Sequence, residues 1–283
     1  MITSFDALKR LLAKNSGLCL DDDKQYLVEN RLAPLAQRHH LDGVDGLVRR
    51  LETGLEPALI RDVVEAMTTN ETFFFRDRTP FDNFRNFMLP NFLEARAMQR
   101  RIRIWCAACS TGQEPYSLAM ILDEEARKIA GWRIDILATD IARGVLDVAR
   151  EGLYSQFEVQ RGLPIAMLLR YFQQKGERWQ IVEHLRSRVR FEECNLISDF
   201  GDLGQFDVIF CRNVLIYFDV PTKRRVLDNL YHSLGEGGYL VLGAAETVVG
   251  LTEQLVPHPQ YPGLIQRRSC ETRGRPPLKL VAG

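Results

Sequence analysis

The sequence predicts an α/β protein: a parallel sheet with helices on both faces, an all-helical domain ahead of it and a small β-rich insertion within it. Three features lead there. From about residue 100, short β-rich strings alternate with amphipathic helical runs, the order that builds a parallel sheet from strand–helix–strand units. Two of those strings, Ile102–Ala107 and Phe206–Cys211, are nearly continuous apolar runs, as strands buried on both faces require. The first seventy residues instead space their apolar side chains three and four apart, without alternation. A chain of 283 residues suits two domains. The expected division is a helical domain over 1–75 and the sheet domain over 76–268, with the insertion at about 161–195. The last stretch, 269–283, is rich in Pro, Gly and charge and is expected to be disordered.

FDALKRLLAK, KQYLVENRLAPLAQRH and LIRDVVEAM read as three amphipathic helices. Ser4 stands where it would cap the first, and Asp21 to Asp23 give the second an acidic first turn. Pro34 should kink or interrupt that second helix, because it has no N–H to bond back along the helix. Gly43 and Gly46 then read as turn residues. TTNETFFFRD and a helical run, TPFDNFRNFMLPNFLEAR, lead into the sheet. Its strands are RIRIWCA, WRIDILATD, FDVIFCRN and GYLVLGA, and its helices EPYSLAMILDEEARKI, ARGVLDVARE and PTKRRVLDNLYHSL. In the insertion, GLPIAMLLRYFQQ reads as a helix, and RWQIVEH with SRVRFEE as a two-stranded hairpin.

Composition excludes several function classes. Thirty-seven basic residues against 37 acidic ones leave no net charge, which argues against a nucleic-acid partner. No eighteen apolar residues run together, and MITSFDALKRLLAKNSG carries charges where a secretory segment is apolar. A cytoplasmic protein that does not enter the membrane is expected. The six cysteines are scattered and read as reduced thiols. Cys106 and Cys109 have redox spacing, but Cys106 lies inside a strand string rather than at a helix N-terminus, where a thiol is activated. No histidine spacing near them suits zinc, and no metal site is expected.

Open α/β sheets bind ligands beyond the carboxyl ends of their strands. At those ends stand the turn Ala108–Pro115, Asp140, Asn195 with Leu196, and Arg212 with Asn213, followed by Tyr217. The turn holds one glycine, too few to let backbone amides close on a pyrophosphate. Asp140 suits the two hydroxyls of a ribose. A nucleoside cofactor without phosphate, S-adenosylmethionine, meets both conditions. Glu114 is either an ordinary first-turn acid or the partner of a polar end of that cofactor. Phe73 to Phe75 cannot all share one helical face, so their segment reads as a loop or lid against the sheet, with Asn70, Thr72 and Arg76 offering hydrogen bonds. The ordinary alternative is an apolar linker whose arginine caps a helix.

TTNETFFFRD, AACSTGQEPYSLA, ATDI, CRNVLIYF and GGYLVLGAAE together resemble the CheR chemotaxis receptor methyltransferases, over about Leu8 to Gln266. The resemblance implies a Rossmann-like class I methyltransferase sheet with helices on both faces, a small inserted β-subdomain and an N-terminal all-helical domain. It implies a protein-glutamate O-methyltransferase that serves sensory adaptation. Methyl passes from S-adenosyl-L-methionine to glutamates on the cytoplasmic methylation helices of chemoreceptors, leaving S-adenosyl-L-homocysteine. By matching motif positions it implies cofactor contacts from Asn70, Thr72, Arg76, Glu114, Asp140, Asn195, Leu196, Arg212 and Asn213, and it places Tyr217 near the transferred methyl. Some family members tether a receptor tail peptide through an extension of the inserted hairpin. The link from Gln173 to Arg178 is too short for that extension, so tethering is not expected.

A glutamate carboxylate is anionic near neutrality, so the reaction needs alignment and exclusion of water rather than a base. Arg76 is expected to pair with a carboxylate, of the cofactor or of the incoming glutamate, and Tyr217 to orient the substrate; these two are the expected catalytic groups. The phenylalanine string is expected to dry the site. Arg31 and Arg38 are expected to dock an acidic receptor helix, a solvated helix end being the ordinary explanation. A methyltransferase for another protein or a small molecule, or a non-catalytic S-adenosylmethionine-binding module, are the competing readings.

Overall fold

The computed structural model describes residues 5–53 and 56–268. Ser4 and the tail from residue 269 lie outside them, as do the expectations placed there. Four helices come first: α1 (Phe5–Ser16), α2 (Gln25–Arg38), α3 (Gly43–Glu52) and α4 (Pro57–Met67). They close over a core of Leu8, Leu12, Val28, Leu32, Leu47 and Val63, all fully buried. Helix α3 corrects the reading of Gly46 as a turn residue, while Gly43, at φ 61°, does turn the chain at the helix start. A glycine inside a helix costs about 1 kcal/mol. Burial of Val44, Leu47, Val48 and Leu51 on one face outweighs that, at about 1.5–3 kcal/mol for each full side chain. Helix α2 also runs unbroken through Pro34, against expectation. Pro34 and Asn30, whose carbonyl loses its partner, both lie on the exposed side, where water replaces the bond.

Helices α5 (Thr79–Asn83) and α6 (Leu89–Ala95) form one rod with a π-turn, Phe84–Met88, between them. The amide of Leu89 bonds five residues back to Phe84, a wider turn that admits Pro90 at the start of α6. The remaining elements, in order, are β1 (Arg101–Ala107), α7 (Gln113–Glu124), β2 (Arg133–Asp140), α8 (Arg143–Glu151), β3 (Leu153–Ser155), α9 (Gln156–Gln160) and α10 (Ile165–Tyr171). They continue with β4 (Phe172–Lys175), β5 (Arg178–Ile181), α11 (Glu183–Arg186), β6 (Val189–Glu193), β7 (Phe206–Cys211), α12 (Val220–Ser233), β8 (Leu234–Leu242), β9 (Leu255–Pro257) and β10 (Leu264–Arg267).

Seven strands form one mixed sheet in the order β6-β2-β1-β7-β8-β10-β9. The first five are parallel; β10 runs antiparallel to β8, and β9 to β10. Strand β1 sits where the order reverses. Ile104, Trp105 and Cys106 on it are fully buried, and Trp105 faces the opposite core layer from its two neighbours. That is why the run carries no polar alternation.

The insertion differs from its expected form. A separate three-stranded sheet, β3-β5-β4, is made by Leu153–Ser155 and a hairpin of Phe172–Lys175 with Arg178–Ile181. Phe172 to Gln174, read as helix, are therefore strand. SRVRFEE is not the second arm of the hairpin: Val189–Glu193 is the edge strand of the main sheet, paired parallel with β2. Strand strings advertise their period, not their partner.

Candidate active site

The N-terminal helices meet the loops that follow β6 and β7. Gly17 (φ 74°) ends α1 there in the left-handed region, and a Cβ on it would stand 2.8 Å from Ile197. The amide of Cys19 donates to the carbonyl of Tyr217 at 2.9 Å, and Asn195 donates its side-chain amide to the carbonyl of Asn15 at 2.7 Å. Between the helices and the sheet lies a cleft with about 970 Å³ of empty space, the open solvent at its mouth included. Asn70, Thr72, Arg76, Glu114, Asp140, Asn195, Leu196, Arg212, Asn213 and Tyr217 all line it.

The loops that build the cleft are held under backbone strain. Ala108 (φ 60°), Ser110 (φ 52°) and Asn213 (φ 58°) follow β1 and β7, and Phe75 (φ 53°), Asp77 (φ 68°) and Arg78 (φ 47°) lie in the covering segment. Non-glycine residues in this region cost of order 1–3 kcal/mol each and persist where surrounding contacts impose them. Those contacts are visible. The Ser110 amide donates to Asp140 Oδ2 at 2.8 Å, and its hydroxyl to the carbonyl of Asn70 at 2.7 Å. The amide of Phe75 donates to Ser117 Oγ on α7 at 3.0 Å. Gly112, the one glycine of the turn, serves packing: a Cβ there would lie 2.9 Å from that of Ala149 on α8.

Asp140 is buried and also accepts the amide of Ala142 at 3.0 Å. Burial raises its pKa against the lowering effect of those amides. A carboxylate offers about four lone-pair sites, so capacity remains toward the cleft. Glu114 is half-buried, its side chain 12% exposed, and loss of solvent there raises its pKa, opposed by the Arg212 guanidinium. Arg212 pairs with Glu114 at 3.0 Å and with Asp77 at 2.7 Å, and donates to the carbonyl of Arg76 at 2.9 Å. It thus fastens the covering segment to the helix after β1. Arg76 donates to the carbonyl of Glu71 at 2.7 Å, and among the described residues no carboxylate lies within ion-pair distance of it.

Two expectations need correction. The phenylalanine string does not line the cleft. Phe74 is fully buried in the α/β core, edge-on to Tyr154 and Phe172; Phe75 packs on Phe81; Phe73 lies under Arg76 and Arg161. The string anchors the lid, which therefore packs with the sheet domain. The apolar surface of the cleft comes from Leu18, Ile141, Leu196, Val214 and Phe218. Arg31 is not a free docking cation either: it donates to the carbonyls of Met67 at 2.6 Å and Thr68 at 2.9 Å and to Thr69 Oγ1 at 3.0 Å, closing the end of α4. Arg38 is exposed.

Cys106 and Cys109 are buried free thiols, and burial pushes both pKa values well up, the reverse of redox activation. Among the described residues no group of three or more His, Cys, Asp or Glu could hold a metal ion, and no helix is long and apolar enough to cross a membrane.

A family model for the CheR methyltransferase SAM-binding domain matches residues 70–261, and one for the CheR all-alpha domain matches 3–68. The chain belongs to the CheR methyltransferase family. Two CheR-family relatives bear this out along nearly their whole length. Chemotaxis protein methyltransferase Cher2 of Pseudomonas putida is 40% identical over 265 residues, covering 92% of this chain and 96% of that one. Chemotaxis protein methyltransferase 1 of Pseudomonas aeruginosa is 42% identical over 267 residues, 93% and 97%. The CheR assignment makes the chain an S-adenosylmethionine-dependent protein-glutamate O-methyltransferase of chemotaxis.

Glu246, Asp77 and Ser117 were not anticipated. Glu246 follows the carboxyl end of β8, the one strand end the sequence reading passes over, and the strand-end rule reaches it. Asp77 and Ser117 carry no such signal, since their roles depend on which loop folds against which helix.

Proposed function

We propose that this chain esterifies glutamate γ-carboxylates on the cytoplasmic methylation helices of chemoreceptors in the cleft described, with Arg76 and Tyr217 as its catalytic residues. The observation that carries the reading is the convergence of ten cleft residues from five separate segments on one crevice beyond β1. S-adenosylmethionine, when bound, supplies an electrophilic methyl carbon on a sulfonium, leaving S-adenosylhomocysteine.

The residues present fit that cofactor. Asp140 keeps acceptor capacity for the ribose hydroxyls, flanked by Asn195 and Leu196. Glu114 would meet a polar end of the methionine portion, and Asn70, Thr72 and Asn213 would supply neutral hydrogen bonds. Arg212 belongs to the same set as the counter-ion of Glu114. This charge pattern suits a sulfonium. Two like charges 4 Å apart repel by about 4 kcal/mol at an effective dielectric of about 20. Arg212 is already paired with two carboxylates and presents no such penalty. Arg76, with no ion pair of its own, is left to take the carboxylate of the cofactor or of the substrate. Tyr217, half-buried at the cleft with its hydroxyl uncommitted, orients the incoming carboxylate oxygen toward the methyl carbon. The β4–β5 turn is only Gly176 and Glu177, which supports activity without a tethered receptor tail peptide.

The test is transfer of labelled methyl to cytoplasmic receptor fragments, with base-labile ester mapped to glutamate. A Tyr217→Phe enzyme should transfer about 10-fold more slowly at saturating cofactor. Label on other residues, or on small molecules only, would reject the receptor reading.

The contacts of Arg31 separate it from Arg38. Arg31→Ala frees Met67 to Thr69 beside Asn70, and should weaken S-adenosylmethionine binding roughly 10-fold, about one charge-assisted hydrogen bond. Arg38→Glu should raise the KM for receptor and leave cofactor binding unchanged. Calorimetry and receptor titration on the two variants check both, and a reversed pattern would return Arg31 to a docking role.

A further inference from the structure

None of the roles above uses Glu246, yet its carboxylate accepts four backbone hydrogen bonds. Oε2 takes the amides of Gly243 at 2.7 Å and Asn213 at 2.8 Å. Oε1 takes those of Val214 at 2.9 Å and Leu215 at 2.7 Å. Three successive amides turned onto one anion, with a left-handed residue at Asn213, form an anion-binding nest. Here the anion is the protein's own.

The nest lies in the loop whose residues face the cleft. Asn213, Val214 and Tyr217 line it, while Leu215 is buried in the core below. The end of β8 presses on the same loop: a Cβ on Gly243 would stand 2.8 Å from Asn213 Nδ2 and 2.8 Å from Glu246 Oε2. The left-handed turn at Asn213 is strained, and the carboxylate compensates it by using all four of its acceptor sites.

We infer that Glu246 is a positioning residue, which holds Asn213 and Tyr217 in the arrangement methyl transfer needs by seating its carboxylate in the amide nest after β7. The inference rests on the reading of the cleft as the site of methyl transfer. Glu246→Gln keeps the size of the side chain but sets an amide donor against backbone donors. Misplacement of a catalytic group by about 1 Å costs on the order of 100-fold in rate.

The experiment uses the full chain, labelled S-adenosylmethionine and a receptor fragment, with competent sites counted by S-adenosylhomocysteine titration. Glu246→Gln should lose about 100-fold in kcat per competent site, with the KM for receptor little changed. Glu246→Ala should regain turnover on addition of formate, which can enter the vacated nest, and not on addition of chloride at equal ionic strength. A kcat per site in Glu246→Gln within about twofold of the unaltered chain would overturn the inference. So would absence of formate rescue, and so would loss of competent sites in both variants, which would make Glu246 a folding residue only. Failure of the unaltered chain to transfer methyl would overturn the proposed function and this inference together; normal transfer by both the unaltered chain and Glu246→Gln overturns the inference alone.

Discussion

Replacement of Arg212 by methionine is expected to destabilise the fold by about 3–5 kcal/mol, the usual result of stranding a buried charge. Arg212 is 6% exposed, and its guanidinium joins Glu114 on α7 to Asp77 in the covering segment. The Asp77 contact is half-exposed and contributes little by itself. Glu114 is the costly partner, because burial already raises its pKa and Arg212 is the charge that opposes this. Without Arg212 the Glu114 pKa rises further until the carboxyl takes up a proton. A carboxyl whose folded pKa is raised loses its share of stability as pH rises, because the folded state then binds more protons than the unfolded one. Urea unfolding should therefore show a deficit for Arg212→Met that grows as pH rises from the ordinary carboxylate range. The double variant Arg212→Met/Glu114→Gln should recover most of the loss, since the one charge left unpaired, Asp77, is half-exposed. A deficit under about 1 kcal/mol, or one independent of pH, would mean the ion pair does not hold the lid.

The second large effect concerns Asp140. Asp140→Asn should weaken S-adenosylmethionine binding about 100-fold, the loss of two charge-assisted hydrogen bonds at about 1.4 kcal/mol each. The same carboxyl gives the binding a pH dependence. Burial raises both Asp140 and Glu114 from their ordinary values of 3.8 and 4.5, so both protonate at higher pH than free carboxylates. Cofactor affinity should therefore decline on mild acidification, before ordinary surface carboxylates titrate. Stability of the cofactor-free protein should respond to these two groups with the opposite sign. Their raised pKa values favour the folded state as it gains protons, so acidification through this range does not weaken it on their account. Calorimetric titration beside unfolding curves, from neutral to mildly acidic pH, separates the two effects. Affinity unchanged down to the ordinary carboxylate range would remove Asp140 and Glu114 as ionised cofactor contacts.

What the sequence reading reached and missed follows from the kind of information each feature carries. Strands β1 and β7 were legible because burial on two faces demands nearly continuous apolar runs, and β2 and β8 because short β-rich strings alternate with helical ones. The helix over 43–52 was missed because two glycines outweighed a correct apolar spacing at Val44, Leu47, Val48 and Leu51. SRVRFEE was given the wrong partner since pairing is decided by what else reaches the sheet edge. Phe73 to Phe75 read as a wall that dries the site because a run of aromatics has no period. Only packing sends Phe74 into the core and leaves Thr72 and Arg76 to the cleft.

The sequence by itself determined the class of fold, the family and the ten side chains that gather at the cleft, because strand ends and motif residues are local properties of the chain. The tertiary structure alone decided which charged groups in and around the cleft are already occupied. Arg31 closes a helix end, Arg212 holds two carboxylates, Arg76 is left without one, and Glu246 organises a loop thirty residues away in sequence. The physical reason is that a charge buried at a long-range contact has its role set by the partner that compensates it, and that partner is chosen only when the chain folds.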